Sequence, residues 1–103
     1  GVVEEVDEGD EIAKALGDKK VAILQNHGIL TTGPSVDIAL WFYMSMERCC
    51  QAQLMAEAAG KPSIIPHNTA IKTREFIAND IAAWASYQPA FDKIIKMQPD
   101  LLD

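Results

Sequence analysis

Between Ser35 and Gly60 the sequence contains neither glycine nor proline, and no other stretch narrows the possible folds as much. An unbroken run of that length predicts one helix of about 24 residues. Ser35 is a favourable N-cap, Asp37 adds negative charge to the first turn, and Gly60 supplies a stop. The helical stripe runs through Val36, Leu40, Tyr43, Met46, Cys50, Leu54 and Ala58, and Trp41, Phe42 and Met44 widen the apolar surface near its start. A helix apolar on several sides needs cover on several sides. A chain of 103 residues offers little of it, which points to a larger unit or a subunit partner.

Upstream, Val21-Ala22-Ile23-Leu24 and Ile29-Leu30-Thr31-Thr32 are short apolar runs rich in β-branched residues, joined by Gln25-Asn26-His27-Gly28. They predict a β-hairpin. Two strands alone make a marginal sheet, so the sheet is expected to be incomplete within these residues. Before the hairpin, Ile12, Ala13 and Leu16 predict a short helix from about residue 10 to 16, with Gly17 as its stop.

After the long helix, residues 61–67 hold two prolines and read as a loop. Asn68 then caps a helix bearing Ile71, Phe76, Ile77, Ile81 and Trp84, and a last short helix runs from about Pro89 to Met97 before Pro99 ends it.

The formal net charge is −6 and the nine basic residues are scattered. Without a continuous positive face, nucleic acid and anionic membrane are poor partners. No apolar run approaches the roughly 20 residues of a membrane span, and the first five residues lack the pattern of a secretory leader. Cys49 and Cys50 point about 100° apart on a helix, which disfavours a bridge between them, and buried free thiols in a reducing compartment are expected. A cytoplasmic location follows from these features as an expectation.

Few residues carry recognisable chemistry. His27 sits between two apolar runs with Gly28 after it, where an imidazole serves either as a metal ligand or base or as a structural group. Nothing in the chain supplies metal partners at a familiar spacing: there is no His-x-His, His-Glu-x-x-His or Cys-x-x-Cys. Gly28 and Gly33 before Pro34-Ser35 echo a phosphate loop superficially, but Pro34 stands where the lysine is needed. Glu47 and Arg48 read as a solvated face and His67 as an exposed loop residue. Trp84 reads as core packing of a helix stripe. Tyr87 is a catalytic candidate only in that a phenol can act as an acid.

The segment Val-Ala-Ile-Leu-Gln-Asn-His-Gly-Ile-Leu-Thr-Thr-Gly, followed by Ser-Val-Asp-Ile-Ala and a long helix with Glu-Arg-Cys-Cys-Gln-Ala-Gln-Leu, resembles the carboxy-terminal part of the class II aldolase/adducin family. The likeness spans about residues 8 to 60, and the tail resembles adducin-like eukaryotic members, fungal ones especially. The resemblance implies an α/β fold, the C-terminal part of an α/β/α three-layer sandwich, mostly helical here with a short hairpin. All of residues 1–103 would then form the C-terminal portion of one such domain. It further implies zinc held by three histidines, His27 being the third and an upstream His-x-His pair the others, with an upstream glutamate as acid and base. Small sugar phosphates would be the substrates of a lyase or epimerase, and homo-oligomers the assembly. The alternative is a non-catalytic adducin-like binding or assembly module. Because the pair and the glutamate are absent from the sequence, the isolated chain is expected to be an inactive fragment without bound zinc.

Overall fold

The computed structural model describes residues 6–103; the segment read above for a secretory leader, residues 1–5, lies outside the described residues. In chain order it forms α1 (Val6–Leu16), β1 (Val21–Leu24), β2 (Gly28–Thr31), α2 (Val36–Ala59), α3 (His67–Ile77), α4 (Asp80–Met97) and a 3-10 turn over Pro99–Leu102. The fold is mostly helical around a two-stranded antiparallel hairpin, as expected.

β1 and β2 pair with Val21 opposite Thr31 and Leu24 opposite Gly28. The second strand starts one residue earlier than the apolar run suggested, because Gly28 already pairs across the turn. Thr32 still donates to the Lys20 carbonyl at 2.9 Å, continuing the ladder by one bond. α2 packs on both strands, and the Thr31 hydroxyl fixes the join by donating to the Ala39 carbonyl at 2.8 Å.

Both ends of α2 follow the sequence. Ser35 is extended, and its Oγ accepts from the Ile38 amide at 3.4 Å, while the Gly60 amide donates to Ala56 at 3.1 Å. The buried face is not the expected one. Ile38 and Phe42, one turn apart, go inside, whereas Val36 is 73% exposed and Leu54 67%. A helix apolar nearly all round has no single stripe for periodicity to find, so the neighbouring elements select the face.

Those neighbours are α4 and β1. Ala83 of α4, fully buried, meets Ile38 and Phe42, with Val21, Trp41 and Ala78 packed around them. Gln88 of α4 reinforces the crossing by donating to the Asp37 carboxylate at 2.9 Å and to the Trp84 carbonyl at 3.1 Å. Trp84 itself is 51% exposed, so the core role expected for it is corrected: small Ala83 marks the contact face, and Trp84 turns about 100° away from it.

Three other boundaries differ. α1 begins at Val6 rather than near residue 10, helped by Asp7 and Glu8 in its first turn. It stops at Gly17 as expected, with φ +56 and its amide on the Ala13 carbonyl. Asn68 is inside α3 and caps nothing; Pro66 precedes that helix, and the segment read as one helix through Trp84 is two, divided at Asn79. Asn79 serves both. Its Oδ1 accepts from the Ala82 amide at 2.9 Å to cap α4, and its Nδ2 donates back to the carbonyls of Glu75 and Phe76 at the end of α3. Finally, α4 runs through Pro89 instead of restarting there. The loss of one backbone bond is outweighed where the same helix is anchored by Ala83 and Gln88 before the proline.

The radius of gyration is 16.4 Å, against about 13 Å for a compact domain of 100 residues. Large apolar side chains stay exposed on several elements, among them Ile64 at 96% and Phe76 at 82%. The described residues thus form one tight helix crossing and leave many of their large apolar side chains exposed.

Replacing Asn79 with alanine removes the acceptor that caps α4 and the donors that close α3, and unfolding titrations should register a loss of about 1–2 kcal/mol; Asn79→Asp, which keeps the acceptor, should recover part of it. Ala83→Leu has no room at the crossing and should cost about 1–3 kcal/mol in the same titration.

Candidate functional site

The hairpin turn positions His27. The Leu24 carbonyl accepts from the His27 amide at 3.1 Å, which closes a four-residue turn. Its third residue, Asn26, is left-handed with φ +64, a conformation that asparagine tolerates better than most side chains. Gly28 follows with φ +138, a torsion rather than a space requirement, because a Cβ there would meet nothing within 4 Å. The imidazole is therefore carried at the tip of the hairpin between two positions with special backbone geometry.

Its side chain is 23% exposed, and its Nε2 lies 3.1 Å from Oε1 of Glu8, whose side chain is 41% exposed. An ionised carboxylate only accepts hydrogen bonds, so the ring nitrogen donates. α1 brings the partner there: it packs on β1, and its first turn holds Glu8. Sequence reasoning missed this residue because it started the helix near residue 10, leaving Glu8 outside any element. The available signal was the acidic pair Asp7-Glu8 ahead of the apolar spacing.

Imidazole nitrogen and carboxylate oxygen are both ordinary zinc ligands. Among the described residues, however, no group of three or more His, Cys, Asp or Glu side chains converges as a metal site would require. The donors present here do not make up a complete zinc centre by themselves.

The other candidates lie elsewhere. Tyr87 is half-buried on α4, its ring 6.3 Å from that of Phe91 and tilted by 41°; among the described residues no hydrogen bond joins it to His27. Glu47 and Arg48 are exposed, the solvated face expected for them, and His67 is exposed at the start of α3. Ser35 is a helix cap. Both cysteines are free, but Cys49 is exposed and Cys50 half-buried, against the expected burial, because they lie beyond the short crossing that α4 covers. A cleft of about 810 Å³ opens at the other end of β1, lined by Lys20, Val21, Phe42, Arg74 and Ala78. Lys20 is engaged there, donating to the Ala78 carbonyl with its ammonium 4.9 Å from the centre of the Phe42 ring.

Comparison with known proteins places this architecture. Residues 2–54 match the family described as "Class II Aldolase and Adducin N-terminal domain". Over 101 residues, 98% of the chain, the sequence is 40% identical to the decarboxylase NovR of Streptomyces niveus, covering 37% of that protein. Over the same span it is 38% identical to the 4-hydroxy-3-prenylphenylpyruvate oxygenase/4-hydroxy-3-prenylbenzoate synthase of Streptomyces roseochromogenus subsp. oscitans, covering 36% of it. The structure superposes with a TM-score of 0.86 and 35% identity on the L-fuculose 1-phosphate aldolase of Glaciozyma antarctica PI12, over 96% of this chain and 39% of that one. The chain thus spans well under half the length of each relative. The family model covers half of this chain and the relatives align over nearly all of it, so the chain belongs to the class II aldolase and adducin family.

Proposed function

We propose that the chain is the C-terminal portion of a zinc-dependent lyase or epimerase domain for small sugar phosphates, with His27 as one metal ligand. The observation that carries this reading is the placement of His27: an accessible imidazole at a turn of special backbone geometry, oriented by a carboxylate, in a fold closely like that of an L-fuculose 1-phosphate aldolase. Aldolase and decarboxylase, the reaction classes named for two of the relatives, both break a carbon–carbon bond near an oxygen-bearing carbon. Zinc supplies Lewis acidity to such a carbonyl when bound. The part of this chain is to hold one imidazole in position and, through α2 and α4, to keep the hairpin beneath it from shifting. The remaining ligands are expected from outside the described residues. Tyr87 remains a candidate proton donor in this proposal. No helix among the described residues is long and apolar enough to cross a membrane, and a cytoplasmic enzyme is the reading that fits.

A second reading is a non-catalytic adducin-like assembly module. The exposed apolar side chains on α2 and after it, Leu54, Met55 and Ile64 among them, suit a surface that is covered in a homo-oligomer, and they suit the enzyme reading equally.

Metal analysis of the full-length protein separates the two. The enzyme reading expects about one zinc per subunit, lost in His27→Ala; a wild-type protein free of metal after purification in zinc-supplemented buffer would support the assembly module instead. In light scattering the full-length protein should run as an oligomer, and a clean monomer at high concentration would count against both.

A further inference from the structure

We infer that the cleft at the far end of β1 is a contact surface between copies of this chain, and that the acidic, apolar turn over residues 99–103 of a second copy seats in it. The inference rests on the oligomer expected under both readings above and needs no metal. The cleft, of about 810 Å³, has an apolar floor of Val21, Phe42 and Ala78, with Lys19, Lys20 and Arg74 along its sides. In a chain of net charge −6, three of the nine basic residues thus gather at one place. Asp18 and Glu75 also line it, and three bases against two acids leave it positive. Asp18 lies 4.0 Å from Lys19 with both side chains in water, where such a pair contributes little. Lys20 is engaged with the Ala78 carbonyl and stands over the Phe42 ring. Arg74 is exposed and, among the described residues, has no ion pair. Lys19 and Arg74 are therefore the cations left to receive an acidic partner.

The turn over residues 99–103 has the opposite make-up. Its charged residues are Asp100 and Asp103, both acids, and between them Leu101 and Leu102 are 56% and 66% exposed. Two hydrogen bonds of 3.1 Å close it, from the Leu101 amide to the Gln98 carbonyl and from the Asp103 amide to the Asp100 carbonyl. The turn is therefore shaped before it docks, which lowers the ordering cost of binding. Its leucines match the apolar floor of the cleft, and its carboxylates match Lys19 and Arg74. The turn cannot reach the cleft of its own chain. Ala78 stands just before α4 and Pro99 just after it, and the 18 residues of that helix hold the two ends about 27 Å apart. Cleft and turn thus meet only between copies. Because the two surfaces differ, the contact runs head to tail, and it closes into a ring where the rotation allows. Between molecules that repel one another through their net charge, a meeting of opposite patches also selects the orientation.

The test is a charge exchange in the full-length protein, with association followed by analytical ultracentrifugation. Lys19→Glu with Arg74→Glu reverses the cleft, and Asp100→Lys with Asp103→Lys reverses the turn. Each pair should weaken association by tenfold or more while circular dichroism stays at the wild-type value. All four substitutions in one chain restore opposite charges at every contact and should recover most of the lost affinity, which a merely structural role of these residues would not do. Association at wild-type strength in both reversed variants would overturn the contact, and so would a loss that the fourfold variant does not recover. Wild-type protein gives a second measurement that does not depend on the variants folding. A carbodiimide, which joins amine to carboxylate with no spacer, should link Lys19 to Asp100 or Asp103, a bond that one copy cannot make within itself. An oligomer that yields other links between copies but not this one would overturn the contact and leave the oligomer standing. A clean monomer at high concentration would overturn both.

Discussion

The contact between α2 and α4 organises everything else. Ala83 has no exposed surface and lies against Ile38 and Phe42; a larger side chain at any of the three positions would separate the helices. The contact works because an alanine lets two backbones approach closely, so dispersion and burial are gained over a short stretch of each helix. The Asp37–Gln88 hydrogen bond then sets the rotation of one helix about the other. From this crossing the order passes outward: α2 holds the hairpin through the Thr31 hydroxyl, the hairpin holds α1, and α1 brings Glu8 to His27. The His27–Glu8 contact is thus three packing steps from the core that fixes it.

The dependence on so small a core explains why the apolar surface of the chain looks excessive. Ile64, Ile65, Phe76 and Ile81 together with the outer face of α2 cannot all be covered by helices of this length. The relatives are more than twice as long as the matched segment, and in a family of layered α/β domains such surface is the natural meeting ground of layers and subunits.

Much of the fold was legible because local chemistry and tertiary structure agree at those points. Ser35, Gly60 and Gly17 end helices where a cap or a left-handed glycine is needed, and the hairpin follows from two β-branched runs around Asn-His-Gly. The misreadings arise where local signals are degenerate. α2 is apolar on so many sides that only contact with Ala83 selects Ile38 and Phe42, and that contact is invisible along the sequence. Asn68 and Asn79 are equally good caps in isolation; the difference is that Asn79 can also close the helix before it. Pro89 normally signals a break, but tertiary anchoring overrides it. At the site, His27 could be singled out from its motif, whereas Glu8 depended on a docking of α1 against β1 that no spacing rule encodes.

Pro89 has a further effect on how the molecule fluctuates. It has no amide hydrogen, so the Ala85 carbonyl lacks its usual donor, and the ladder of α4 is interrupted at mid-length. The half before the proline is clamped to α2 by Ala83 and Gln88, while the half after it bears the terminal 3-10 turn. Amide protons in the two halves therefore belong to separate opening units: the first exchanges only when the helix crossing comes apart, and the second by a cheaper local event that leaves the crossing and the hairpin intact. The carboxy-terminal turns can thus rearrange, or be reshaped by a neighbouring subunit, without transmitting disorder to the imidazole at the other end of the chain of contacts.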